Sequence, residues 1–470
     1  MASQNTHYAG DGRLGRWLSR GRRIHFIGIY GVSMRVLAAM CAERGYTVTG
    51  SDDAQDALGA LSLGGAEIAV SPPSPDGAII DADLAVYSTA VGKDHKEMRA
   101  ARELGIPLVS RADLLGELMK DYGIRVGISG THGKSTTSAM CGGIFEKAGF
   151  DPTLVVGARL AGRMDGYRPG GRRALVFEAC EYCESFLCFS PTVAVVTNAE
   201  WEHPDCFPDR AASIASFRRY LSLPSVKVAV VNADDEGACE AAEGLAVPIL
   251  LFGRQGRGDL LAEDVRLFDG GSEFTLSFCG RELGRIRLSV PGMHNVENAL
   301  AAAGAALLSG VDAMSVVLGL GGFLGIGRRT EYRGTLDGVR YFDDYAHHPT
   351  EIRAALRALR GEGRLIVVYQ PHTYSRTVGL FSGICDALSL ADAVVLVDIF
   401  AAREENESGI TCRQLADAIG ERAVSLPTPE VAALHLLDAV RPGDTVVVMG
   451  AGSIADRFFT GRLSFSDTPI

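Results

Sequence analysis

Short apolar runs, each followed by a turn and an amphipathic stretch, recur along this chain: IHFIGI (24–29), LAVYST (84–89), IRVGIS (124–129), LVFEA (175–179), VAVVTN (193–198), VKVAVVN (226–232), LIVVYQ (365–370), AVVLVD (393–398) and TVVVMG (445–450). Runs so short and so rich in Val and Ile, alternating with helical segments, are strands of parallel sheets covered on both faces. The fold class is therefore α/β. A length of 470 residues asks for about three domains at roughly 150 residues each. Breaks fall at MKDYG (119–123) and in the glycine-rich GLGGFLGIGRR (319–329), dividing the chain into 1–122, 123–326 and 327–470. Residues 1–23 read as a flexible tail.

Composition narrows the partners. Apolar residues make up 47% and charged residues 22%, as in ordinary soluble proteins. The formal charge is −11 and the one basic tract is RGRR at 20–23, which argues against nucleic acid and anionic membranes. No apolar run reaches 18 residues and the N-terminus has no apolar signal region, so neither a membrane span nor a secretory signal is expected. The ten cysteines include one CxxC, Cys180 and Cys183, with Cys188 and Cys206 nearby. They read as filler thiols of a reducing cytoplasm in preference to a metal or redox centre.

The most informative loop is GISGTHGKSTTSAM (127–140). A strand runs into GTHGKS and then into a helix near Thr136, so backbone N–H groups and the helix N-terminus face an anion together. Gly130 and Gly133 let the backbone approach phosphate oxygens, with Thr131 and His132 between them. Lys134 is placed to reach the β- and γ-phosphates, and Ser135 to ligate Mg²⁺. The strict phosphate-loop spacing is missed by one place, because position 128 is Ile and the first glycine is Gly127. Glu178 ends a strand, where a carboxylate sits on the ligand side of such a sheet, and Glu181 and Glu184 follow it. His203 follows another strand. Glu178 and His203 beside Ser135 suggest metal-assisted phosphoryl transfer.

Taken in order, GTHGKS, EACEYCESFL, TNAEWEHPD, PGMHNVENALAA, GIGRRTE, DDYAHHPTEI and QPHTYSRT resemble the Mur ligases, from Ile24 to about Ile454. The resemblance implies a Rossmann-like first domain for a UDP-sugar, a central phosphate-loop ATPase-type α/β domain, and a Rossmann-like third domain for an amino acid. It implies an ATP- and Mg²⁺-dependent ligase joining L-alanine to the lactyl carboxylate of UDP-N-acetylmuramate through an acyl phosphate, in cytoplasmic peptidoglycan precursor synthesis. Lys134, Glu178, His203, Arg329 and Asp344 become the catalytic set. Gly130, Thr131, His132, Gly133, Lys134, Ser135, Thr136, Asn295, Asn298, Arg329 and Asp344 would meet ATP, with the two asparagines reading the base. The metal would lie on Ser135, Glu178 and His203.

A second glycine turn, HFIGIYGVSM (25–34), then has a role of its own. In this family it receives the UDP diphosphate, which assigns Gly28, Gly31, Ser33 and Met34 to the sugar nucleotide. Asp52, Ser88, Thr89 and Arg376 join them, Asp52 as a partner for a ribose hydroxyl. His347, His348, His372, Tyr374 and Arg376 would meet the amino acid, Arg376 through a carboxylate. The chain departs from the family pattern at Tyr30, where a glycine is usual and a left-handed backbone would be strained. It departs again at Arg35 and at Cys180, which replaces an acid. A monomer or weak homodimer is expected. The alternatives are a recycling ligase that adds a preformed peptide to the same UDP-sugar and, more remotely, an NAD-dependent oxidoreductase argued from HFIGIYG and VVVMGAGS.

Overall fold

A computed structural model describes residues 13–460 apart from 21–22, 54–58, 64, 89–90, 93, 161–162, 164, 204–205 and 403. Three sheets follow one another along the chain. The first contains β1 (Arg23–Ile27), β2 (Thr47–Ser51), β3 (Gly59–Leu63), β4 (Ala66–Ser71), β5 (Leu84–Tyr87) and β6 (Leu108–Ser110), in the order β3-β4-β2-β1-β5-β6. All its neighbours are parallel except β3 and β4. The strand order reverses direction between β1 and β5. In open α/β sheets ligands bind at that point, beyond the carboxyl ends of the strands.

The second sheet is built around β7 (Ile124–Ser129), with β8 (Thr153–Val155), β9 (Tyr167–Arg168), β10 (Ala174–Glu178), β11 (Val193–Val196), β12 (Val228–Asn232), β13 (Ile249–Gly253), β14 (Leu260–Phe268), β15 (Gly271–Phe278) and β16 (Arg281–Leu288). Its order is β16-β15-β14-β13-β12-β11-β7-β10-β8-β9, with β7 running parallel to both β10 and β11. The third sheet takes β17 (Glu331–Leu336), β18 (Val339–Asp344), β19 (Leu365–Tyr369), β20 (Ala393–Val397), β21 (Ala423–Leu426) and β22 (Thr445–Met449) in the order β17-β18-β22-β19-β20-β21. Only β17 is antiparallel to its neighbour. The central strands β11, β19 and β22 are buried along their whole length and β7 over its last four residues, as two-sided coverage requires.

Compactness divides the chain into two units. One contains Met1–Glu263, Thr275–Ile286 and Glu297–Leu320, and the other Asp264–Phe274, Arg287–Val296 and Gly321–Ile470. The first two expected domains therefore share one compact unit, and short pieces of the expected middle stretch belong with the C-terminal unit. Inside the first unit a single apolar core continues from Leu37 and Met40 of α2 (Val32–Glu43) through Leu114, Leu115 and Leu118 of α4 (Arg111–Leu118) to Phe177, Phe186, Phe217 and Tyr220, while α3 (Lys96–Glu103) buries Met98, Ala100 and Ala101 in a separate cluster. Phe186 stacks on Tyr220 with centroids 4.8 Å apart, and the Tyr220 hydroxyl donates to the Gly127 carbonyl at 2.8 Å. Gly127 is thus a packing glycine inside β7: a Cβ there would collide with Tyr220 and Phe177. Gly116 has the same role in α4, whose backbone lies against the Cys188 carbonyl.

The flexible-tail reading fails over its described part. Residues Arg13–Arg20 form a helix (α1) with Leu14 and Leu18 buried in the common core, and Arg23 already starts β1. Two leucines four residues apart bury one face of this helix, with Trp17 packed against the same core, which a composition rich in arginine conceals. Among the described residues, no helix is long and apolar enough to cross a membrane.

Candidate active site

The loop after β7 is held from the neighbouring strand. Beyond β11, the Asn198 side chain accepts from the His132 N–H at 2.8 Å and donates to the His132 carbonyl at 3.1 Å. The Thr197 hydroxyl also donates to that carbonyl at 2.7 Å, and the Thr131 hydroxyl to the Glu200 carbonyl at 3.0 Å. Gly130 at φ 142° and Gly133 at φ 83° adopt backbones that L side chains avoid. A Cβ on Gly130 would strike Thr197, and one on Gly133 would strike the Asn298 amide. Asn298 in turn accepts from the Thr137 hydroxyl at 3.2 Å. The helix that follows, α5 (Lys134–Lys147), starts two residues earlier than the sequence suggested, and no side chain caps it. Its uncapped N-terminus carries buried Ser135 and Thr136 in the first turn, the arrangement in which a helix receives an anion. His132 turns to Glu200, with Nε2 3.6 Å from a carboxylate oxygen.

Lys134 bends back over the loop. Its ammonium donates to the carbonyls of Gly130 at 2.5 Å and Thr131 at 3.0 Å, and lies 3.0 Å from Oε2 of Glu181. Burial disfavours the ammonium, yet the Glu181 carboxylate outweighs it and the lysine pKa is raised. Burial likewise pushes Glu181 up, and Lys134 and His203 together more than reverse it, so Glu181 is held below the usual carboxylate range. The pair is charged on both sides.

His203 Nε2 lies 3.7 Å from Glu181 and 3.3 Å from Glu202. Glu181, Glu202 and His203 bring three ligand atoms within 4.8 Å of one another. Oε2 of Glu181 is buried and, beside the Lys134 ammonium, has no further hydrogen-bond partner. Two carboxylates and an imidazole beside a phosphate loop suit a divalent cation. Glu178, the carboxylate singled out from the sequence, is not in this group: at the end of β10 it accepts from the Gly157 N–H. Glu202, which the reading of the sequence passed over, was signalled by its place next to His203.

The first glycine turn sits at the carboxyl end of β1, with Ser88 beyond the adjacent β5 and Asp52 beyond β2. Gly28 has φ 78°, while Tyr30 is not left-handed, so the departure from glycine carries no backbone strain there. Instead, the Tyr30 N–H donates to Asp52 at 2.9 Å, which ties the expected ribose partner to the turn. Gly31 precedes α2, and Ser33 is partly exposed in its first turn. Met34 is a correction: its side chain is 1% exposed and belongs to the core, leaving only its backbone for a ligand. Thr89 lies outside the described residues. Below this edge a buried network joins His25, Thr49, Ser51 and Glu97, which no motif announced.

In the C-terminal unit, Arg329 sits between Arg328 (φ 58°) and Thr330 (φ 45°), two left-handed residues that form a strained turn. Asp344 holds that turn by accepting from the N–H groups of Thr330 and Ala346, each at 2.7 Å. Burial raises the Asp344 pKa to about 6, against the pull of Arg329. Arg329 itself lies 3.3 Å from Glu351 and over the Tyr345 ring. His372, after β19, stacks on Phe400, has its ring 6.0 Å from that of His347, and accepts at Nδ1 from Arg376 at 3.0 Å. Tyr374 opens the short helix that carries Arg376. His348 caps the helix Pro349–Leu359 by accepting from the Thr350 N–H at Nδ1. Asn295, 4% exposed, donates to the Pro291 carbonyl at 2.7 Å.

Three family models match the chain in succession: the Mur ligase family catalytic domain over residues 23–123, the Mur ligase middle domain over 128–306, and the Mur ligase glutamate ligase domain over 328–452. The chain is 39% identical to a UDP-N-acetylmuramate–L-alanine ligase of Agathobacter rectalis, covering 93% of this chain and 97% of the relative. It is 38% identical to one of Caldanaerobacter subterraneus subsp. tengcongensis, over 93% and 96%. Its structure is similar to that of a UDP-N-acetylmuramate-alanine ligase from Thermotoga maritima, with a TM-score of 0.76, 25% identity, and 93% and 98% of the two chains covered.

Proposed function

The chain belongs to the Mur ligase family, and from that membership we propose that it joins L-alanine to the lactyl carboxylate of UDP-N-acetylmuramate with hydrolysis of ATP, in cytoplasmic peptidoglycan precursor synthesis. The observation that carries the reading is the charged group of Lys134, Glu181, Glu202 and His203 around the phosphate loop, in a chain that aligns with such ligases over nearly its full length.

A free carboxylate does not form an amide in water without activation. The lactyl carboxylate attacks the γ-phosphoryl group of ATP, giving an acyl phosphate and ADP. The amino group of L-alanine then attacks the acyl carbon, and phosphate leaves from the tetrahedral intermediate. Lys134 neutralises charge on the phosphates, and the N-terminus of α5 receives them through its backbone N–H groups. Thr197 and Asn198 keep the loop in that geometry before ATP arrives. Asn298 serves the nucleotide from the helix Met293–Leu308; for Arg329 and Asp344 the same role rests on family membership alone. Glu181, Glu202 and His203 would hold Mg²⁺. That ion, when bound, neutralises phosphate charge as a Lewis acid. Gly28, Gly31, Ser33, Asp52 and Ser88 take the UDP moiety at the reversal in the first sheet. His347, His372 and Arg376 take the amino acid, with Arg376 pairing its carboxylate.

The domain limits near 122 and 326 form part of this proposal. Phosphate release measured with UDP-N-acetylmuramate plus L-alanine, glycine, L-serine or a preformed tripeptide tests it. Release dependent on L-alanine supports the assignment; release that requires the tripeptide replaces it with the recycling reaction.

A further inference from the structure

The sequence spacing pairs Cys180 with Cys183, but folding brings Cys183 to Cys206, with Sγ atoms 3.3 Å apart. Cys183 is exposed and Cys206 partly so, whereas Cys41, Cys141, Cys188, Cys385 and Cys412 are buried. Each of the two thiols sits on a loop of the charged group. Cys183 follows Glu181 by two residues, and Cys206 follows His203 by three, its N–H donating to the His203 carbonyl at 2.8 Å. The loops also meet where the Tyr182 ring packs edge-on against His203, with centroids 4.9 Å apart. Both are strained: Cys183, Glu184 and His203 have φ of 49°, 54° and 57°. Strain of this kind persists only where the surroundings fix it and is concentrated at switch and ligand sites.

We propose that Cys183 and Cys206 are a modification site, a dithiol that peroxide converts to a disulfide and that thereby clamps the loops of Glu181 and His203 around the phosphate loop. A covalent S–S bond of about 2.05 Å requires the sulfurs to approach by only about 1 Å. The sulfur of one thiol attacks an oxygen of hydrogen peroxide, the O–O bond breaks, and a sulfenic acid and water form. The second sulfur attacks the sulfenic sulfur, the S–S bond forms, and the sulfenic oxygen leaves as a second water. The two thiol protons end in the waters; two thiols lose two electrons and the peroxide gains them. A dithiol reductant reverses the bond by exchange. Lys134 must exchange Glu181 for nucleotide phosphates when ATP binds, and a clamped Glu181 loop cannot give way. The oxidised form therefore binds ATP more weakly, on the order of tenfold, the factor one charged hydrogen bond carries.

The full chain, reduced and then treated with hydrogen peroxide, tests this. No Lys or Arg lies between residues 174 and 209, so trypsin leaves Cys180, Cys183, Cys188 and Cys206 on one peptide and a second cleavage after glutamate is needed. Mass spectrometry is expected to find the Cys183 and Cys206 fragments joined, with exposed Cys279 absent from any link. Binding of a fluorescent ATP analogue is expected to weaken about tenfold and to recover with dithiothreitol. Cys206→Ser, and separately Cys183→Ser, keep basal affinity and lose the reversible response. Fragments that remain separate after peroxide overturn the site, and joined fragments with unchanged affinity overturn the clamp. The fragment masses do not depend on which substrates are ligated, so failure here is distinguishable from failure of the proposed function.

Discussion

The ammonium of Lys134 and the buried carboxylate of Glu181 stand 3.0 Å apart, so the lysine that would meet a nucleotide already holds an anion. Lys134→Ala is expected to lower kcat for phosphate release by about 10²–10³, the cost of removing one preorganised electrostatic partner. Glu181→Gln separates the two parts of the site: metal-free ATP should bind more tightly because the ion pair no longer competes, while turnover with Mg²⁺ falls. Titration calorimetry beside steady-state rates reads both, and an affinity for metal-free ATP that drops in Glu181→Gln would defeat the competition argument.

Gly133→Ala tests the loop itself. The substitution forces a left-handed alanine and drives a methyl into the Asn298 amide, breaking its contact with Thr137. A stability loss of about 1–3 kcal/mol is expected from the backbone alone, together with weakened nucleotide binding. Urea unfolding and nucleotide titration measure the two. A stable variant with intact binding would show that the tight contact is not needed.

Acid response should divide between two groups of the C-terminal unit. Burial raises Asp343 and Asp344 to about 6, so the folded chain binds their protons more tightly than the unfolded chain does. The stability they contribute is complete below their unfolded pKa and is lost as pH rises through about 6. Burial and Arg329 lower His294 to about 4, and its contribution has the opposite sign: present above the usual histidine range and lost as pH falls through about 4. The double substitution Asp343→Asn, Asp344→Asn should therefore steepen the loss of urea midpoint between neutral and acidic pH, and His294→Gln should flatten it. Parallel pH profiles for parent and variants would refute the assignment.

Arg376 donates to His372, and because a guanidinium cannot accept, Nδ1 of His372 is the acceptor and its proton lies on Nε2. Arg376→Ala should raise KM for the amino acid or the sugar nucleotide by on the order of tenfold to a hundredfold, the range for one charged hydrogen bond, with kcat largely kept. Initial rates with each substrate varied in turn decide it; Michaelis constants that stay put would remove Arg376 from the binding set.

The strands around β7, β19 and β22 were legible because a strand covered on both faces must be apolar throughout, and VVVM or LIVVY cannot be much else. The phosphate loop was legible for a similar reason, since few backbones besides a strand-to-helix turn use glycines at 130 and 133 before a lysine. The choice between carboxylates was not. Glu178 ends β10, where strand geometry points, but Glu181, three residues on and just before the left-handed Cys183 and Glu184, is the carboxylate that reaches Lys134. Met34 was misread because a glycine-rich turn looks like ligand chemistry while helix periodicity was the local requirement, and the N-cap made by His348 was not legible in a double histidine. Thr197 and Asn198 escaped notice because their work is to hold a backbone.

The shared core of the first unit has a bearing on how this enzyme could be cut or recombined. Leu114, Leu115 and Leu118 pack into one continuous interior with Phe177 and Phe186, Gly116 nests against a carbonyl at 188, and the Tyr167 hydroxyl reaches back to Glu43. A fragment beginning at residue 123 would present an open greasy wall to water, and a chimera that imported a foreign N-terminal domain would need to import its matching surface as well. Evolution can exchange such a piece only together with its neighbour.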